Sequence, residues 1–77
     1  MNLLKRLAAY SPTGEIEIDE LPFVQCGIDN LQRLGWTDNE IVSKLKWMEH
    51  VNPEINEDVA LRNMRLVDER VAHRLSS

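Results

Sequence analysis

The sequence predicts an all-α protein: a small three- or four-helix bundle forming a single domain (residues 1–77), with a short extended acidic arm at residues 15–20. Three observations predict it. Apolar residues recur at helical spacing along most of the chain, as in Val24, Ile28, Leu31 and Leu34. A helix stop and a helix start lie side by side in Leu34-Gly35-Trp36-Thr37-Asp38-Asn39-Glu40-Ile41. Composition is the third: 43% apolar and 29% charged residues, with only three Gly and three Pro, suit a folded helical chain and not a disordered one.

The first helix is expected from Asn2, a capping residue, to about Tyr10, with Leu3, Leu4, Leu7 and Ala8 on one side. Ser11-Pro12-Thr13-Gly14 then breaks it. Glu15-Ile16-Glu17-Ile18-Asp19 alternates acid with isoleucine at period two, which places both Ile on one face of an extended segment. No second strand is visible, so this segment either lies over the helices as an arm or pairs with a copy of itself or a partner's sheet edge.

Pro22 suits a first helical position and sets the start of the second helix, whose stripe is Val24, Ile28, Leu31 and Leu34. Gly27 lies beside Ile28, where it lets another helix come close. Gly35 closes this helix in left-handed geometry. Thr37 and Glu40 have capping-box spacing, and Trp36 and Ile41 occupy the two positions of a hydrophobic staple, so the third helix enters at a fixed angle. It is expected from Asp38 to about His50, burying Ile41, Val42, Leu45 and Met48, with Trp47 and Val51 about 100° off that stripe. A helix with two apolar sides is a central helix.

Asn52-Pro53 ends it. The last helix starts either at Pro53, capped by Asn52, or at Glu57, capped by Asn56, and runs to about Leu75 with a stripe of Ala60, Leu61, Met64, Val67, Val71 and Leu75. Asp68 falls within this stripe and must reach a cation, a helix N-terminus or water.

Length and charge narrow the function. A chain of 77 residues buries only about 60 to 65% of its unfolded surface, and the single Cys26 leaves no internal disulfide to support it. A reducing, cytoplasmic setting is expected, because Lys5 and Arg6 interrupt the N-terminal apolar run in the wrong order for a secretory signal and no segment approaches a membrane span. The net charge of −4 is uneven: residues 11–28 and 29–58 carry −4 each, and the two ends carry +2 each. Such a field repels nucleic acid except at local basic patches.

No cofactor, metal site or catalytic group is expected. His50, His73 and Cys26 lack zinc-ligand spacing, the three Gly are isolated, and no Ser sits in a nucleophile motif. Cys26, near Val24 and Ile28, reads as a small core residue. Trp47, with Val51, reads either as an anchor for a partner or as core covered by the first helix or the Ile16/Ile18 arm. Arg62, Arg65 and Arg70, together with His73, share the outer side of the last helix and form a candidate lane for phosphates, although Asp58 and Glu69 stand at pairing distance from Arg62 and Arg65.

Ile28..Leu31..Leu34-Gly35-Trp36-Thr37..Glu40-Ile41...Leu45 resembles the first two helices and connecting loop of ubiquitin-associated (UBA-like) three-helix domains, over residues 28–45. The resemblance implies that Leu34, Gly35 and Trp36 form a partner-contacting loop. Gly35-Trp36-Thr37..Glu40-Ile41...Leu45 also looks like the opening of a helix-turn-helix unit, which implies a recognition helix soon after Leu45. Lys46-Trp47-Met48-Glu49 is instead expected to continue the helix, and the next one begins with Glu54, Glu57 and Asp58.

The expected function is therefore a non-enzymatic protein-interaction module, a small regulator, inhibitor or adaptor of phage or bacterial type. Trp47, Val51, Ile16, Ile18, Leu34, Gly35 and Trp36 are its candidate contacts, and a homodimer is one form of partnership. The alternative is a helix-turn-helix-like DNA-binding transcriptional regulator that uses Arg62, Arg65 and Arg70.

Overall fold

Asn2 does cap the first helix: in the computed structural model, which describes residues 2–76, its side chain accepts from the Lys5 backbone N–H at 2.8 Å. Four helices follow, α1 (Leu3–Ala8), α2 (Leu21–Arg33), α3 (Asp38–Leu45) and α4 (Glu57–Ser76), and no strand occurs among the described residues. None of these helices is long and apolar enough to cross a membrane.

The corner between α2 and α3 forms as its sequence dictates. Gly35 takes φ +93°, Trp36 N–H donates to Leu31 O at 3.0 Å and Gly35 N–H to Gln32 O at 3.1 Å, which is the Schellman closure of α2. Thr37 then accepts from Glu40 N–H at 3.2 Å, while the Glu40 carboxylate accepts from Thr37 N–H at 2.8 Å. Trp36 packs against the cluster that holds Ile41. Because these bonds are local, the corner folds where the residues stand.

That corner makes α3 central. It packs against α1, α2 and α4, whereas among the described residues α4 packs against no helix but α3. Leu7, Val24, Ile28, Leu31, Ile41, Val42, Leu45 and Val51 form the shared core, with Leu3, Leu4, Ile16, Trp36 and Met48 packed on it. No member of that core comes from α4. The last helix buries Ala60, Val67 and Val71 instead, along a separate apolar seam.

Polar contacts close this seam. Lys44 donates to Asp68 at 2.6 Å, which supplies the cation that an acid in the stripe requires. Arg74 grips both carboxylate oxygens of Glu40, at 2.5 and 2.6 Å, and donates to Gly35 O at 3.0 Å. Arg74 and the capping bonds hold the Glu40 carboxyl at about 2, down from 4.5. A depressed carboxyl stabilises the fold above the unfolded value and loses that contribution as pH falls from about 4.5 towards about 2. Acid titration of the unfolding free energy should accordingly show a flatter slope in this window for Glu40→Gln than for the wild type; parallel slopes would place the acid sensitivity elsewhere.

Gly27 faces α3, and a Cβ built there would stand 3.5 Å from both Leu45 methyls, an ordinary contact. The glycine thus permits the approach without being required for it. Gly27→Ala is expected to stabilise the chain by about 0.5 to 1 kcal/mol through helix propensity alone, measured as a higher denaturant midpoint at unchanged slope. A lower midpoint would mean that α2 and α3 are closer than these distances.

Several expectations are corrected. The acidic arm is much shorter than residues 15–20: Glu20 and Leu21 N–H donate to Glu17 O at 2.9 and 3.2 Å, so residues 18–20 curl into the start of α2. A lone strand has no ladder to satisfy its backbone, and the local turn supplies the missing partners. Ile16 and Ile18 consequently do not share a face, since Ile16 packs on the core and Ile18 is 80% exposed. The third helix stops at Leu45, five residues early. Met48 N–H donates to Leu45 O at 2.9 Å and Val51 N–H to Met48 O at 3.0 Å, and this tighter winding turns Val51 inward. Cys26 is exposed, with its sulfur 3.6 Å from the Asn30 side-chain nitrogen, because α2 buries only Val24, Ile28 and Leu31. Of the two starts considered for the last helix, Glu57 is realised: Asn56 Oδ1 accepts from Val59 N–H at 3.1 Å.

Candidate functional site

The early end of α3 builds a surface feature. Residues 46–56 cross from α3 to α4 as a series of turns, and a hollow of about 480 Å³ opens between them and the first half of α4. Trp47, Met48, Pro53 and Ile55 line one side, and Leu61 and Met64 the other. This volume lies within the roughly 300 to 1,000 Å³ typical of ligand sites. Glu49, His50 and Glu57 complete the lining, and with Leu61 57% exposed and Trp47 half-buried its apolar part is reachable.

Each wall has a local cause. Trp47 lies in the turn after α3, where Lys46 Nζ sits 5.3 Å from its ring centre and 5.3 Å from that of Tyr10. The ammonium thus holds two aromatic rings by cation–π attraction. Leu61 follows Ala60 by one residue, about 100° round the helix from it. Ala60 meets the seam and Leu61 does not, so the buried face of α4 is narrower than the predicted stripe.

A second hollow of about 330 Å³ adjoins the first and shares Glu49, His50 and Pro53 with it. Ser11, Pro12 and Thr13 form its far edge, Ile16 and Val51 its apolar lining, and Glu15, Glu17, Glu20, Glu49 and Glu54 its carboxylates. Two serine and threonine hydroxyls fix that edge: Ser11 and Thr13 both donate to Glu15 O, at 2.7 and 3.1 Å. His50 ties the turn to the start of α2, with its Nδ1 hydrogen-bonded to the Glu20 carboxylate and its ring stacked on Phe23 at 4.8 Å.

The predicted contacts fare unequally. Trp47 lines the first hollow. Val51 is 1% exposed and belongs to the core, which removes it from any docking surface. Ile16 and Trp36 are half-buried against the core, the latter with Lys44 Nζ 5.2 Å over its ring. Leu34 is 65% exposed and Gly35 exposed, with the Leu75 side chain 3.6 Å from the point a Cβ would occupy on Gly35. This forms a separate apolar patch at the far end of α4. Ile18 projects freely. Sequence reasoning missed Leu61, Met64 and Ile55 as site residues, treating the first two as buried stripe.

Arg62, Arg65 and Arg70 are exposed on α4. The anticipated pairs of Arg62 with Asp58 and Arg65 with Glu69 do not form among the described residues, whose ion pairs are Lys44 with Asp68, His50 with Glu20 and Arg74 with Glu40. Comparison of the chain with protein-family models, curated proteins and solved structures returns no match.

Proposed function

We propose that this chain is a non-enzymatic protein-interaction module, acting as a small regulator, inhibitor or adaptor through the hollow between residues 46–56 and α4. The observation that carries this reading is the placement of Leu61. A leucine 57% exposed, lining one hollow with a half-buried tryptophan, leaves apolar surface that folding has not used. Aromatic and aliphatic anchors in pockets carry most of the energy at protein interfaces. Leu34 and Leu75 offer a further apolar patch of the same kind, at the corner where the sequence resembles the UBA-like contact loop.

The test is affinity capture from the source cell with wild-type and Leu61→Ser chains, followed by mass determination of each complex. A protein partner, or a second copy, retained by the wild type and lost from the variant supports the reading; identical capture by both counts against it. Arg62, Arg65 and Arg70, exposed and in no ion pair among the described residues, favour a second reading, duplex DNA binding by the outer side of α4. Nucleic acid in the captured complex, displaced steeply by salt and lost on Arg62→Ala/Arg65→Ala, would establish that one instead.

A further inference from the structure

The two adjoining hollows differ in chemistry. The first joins Trp47, Met48, Ile55, Leu61 and Met64 to Glu49, His50 and Glu57 at its rim, and the second sets five carboxylates around Ile16 and Val51. Together they carry Glu15, Glu17, Glu20, Glu49, Glu54 and Glu57, and neither is lined by a lysine or arginine. Glu20 is satisfied by His50. The other five are exposed and, among the described residues, form no ion pair. Carboxylates gathered along the two hollows set a local negative potential that a cationic partner complements.

We infer that the occupant is a cationic amphipathic segment of another protein, whose apolar side chains seat between Trp47 and Leu61 while its lysines or arginines face Glu15, Glu17, Glu49 and Glu54. This inference rests on the interaction reading above and adds the partner's chemistry to it. The arrangement is that of a helix laid in a groove, with apolar anchors for affinity and charge for orientation.

A second copy of the chain is the natural rival, because α4 itself has a cationic outer side around Leu66, with Arg62 and Arg70 beside it. Geometry disfavours it. Leu66 lies five residues beyond Leu61, about 140° round the helix, so a copy that seats its outer side in the hollow turns its own hollow away. Such a contact is head-to-tail and adds copies without closing.

The experiment is a titration of the isotope-labelled chain with two model peptides of about 14 residues, roughly four helical turns, both patterned with leucine on one face. The other face carries lysine in one peptide and glutamate in the other. Amide shifts on adding the leucine–lysine peptide should localise together at residues 15–20 and 47–61, with binding that weakens with salt. The leucine–glutamate peptide should not bind. Leu61→Ser and the triple variant Glu15→Lys/Glu17→Lys/Glu54→Lys should each weaken the lysine peptide by about tenfold or more, at melting temperatures close to the wild type because these positions are exposed.

Absence of binding, shifts scattered over the acidic surface, or equal binding of both peptides at the hollow overturns the assignment. Equal binding leaves the interaction reading standing. Groove shifts that grow with chain concentration alone identify a second copy as the occupant and also overturn it.

Discussion

Ile41→Ala is expected to destabilise the chain by about 2 to 5 kcal/mol, the cost of removing buried methyl groups and leaving a cavity. Ile41 is fully buried in the shared core on the helix that every other helix touches, and it is the fourth residue of the capped turn beside Trp36. Total stability for a domain of this length is on the order of 4 to 12 kcal/mol, so a large fraction is lost. Thermal unfolding followed by circular dichroism should show a fall on the order of 10 to 30 °C. A fall of a degree or two would mean that the cluster around α3 is not the core. Ile18→Ala, at an exposed position, serves as the control and should stay within about 0.5 kcal/mol of wild type.

Val71→Asp is expected to detach α4. Val71 is 2% exposed, and among the described residues α4 buries only two others, Ala60 and Val67. The substitution forfeits about 1.5 to 3 kcal/mol of apolar burial and would trap a carboxylate whose desolvation costs several kcal/mol more. No cation of the seam is free to answer it, since Lys44 holds Asp68 and Arg74 holds Glu40. The helix leaves α3 at a lower cost than burying the charge. Loss of protection in residues 57–76 with retained signals from α2 and α3 is the predicted result; uniform loss throughout would show one indivisible core.

What the sequence made legible was local. The Gly35 closure and the Thr37 and Glu40 capping box depend on atoms within a few residues and are found at the predicted positions, and of the two caps considered for the last helix the Asn56 one forms. The centrality of α3 holds for another reason than the one expected: Trp47 and Val51, read as its second apolar side, lie beyond its end at Leu45, and the helix itself packs against α1, α2 and α4. Other features depend on contacts distant in sequence. Nothing near Leu45 marks a stop, and only Val51 turning into the core reveals the tighter winding of residues 46–51. The acid and isoleucine alternation at residues 15–19 has the form of a strand, yet an unpaired backbone next to Pro22 is better satisfied by a turn.

The candidate site was half legible for the same reason. Trp47 stood out as an aromatic residue off its stripe, and it does line the hollow. Leu61 did not stand out, because periodicity alone places it with Ala60 and Met64. Its exposure follows from α4 having one helical neighbour where a bundle helix has two or three. Partial embedding of the last helix thus links the fold to the proposed role: the flank that α3 leaves uncovered is the flank that completes the hollow.

Native-state hydrogen exchange on the unmodified chain tests this account most directly. Two tiers are predicted, with amides of α2 and α3 around Ile28, Ile41 and Leu45 opening only on global unfolding and those of α4 around Val67 and Val71 opening at a distinctly lower free energy. A single opening free energy shared by all three helices would contradict it, because α4 would then belong to the common core and its uncovered flank would not be a surface set apart for a partner.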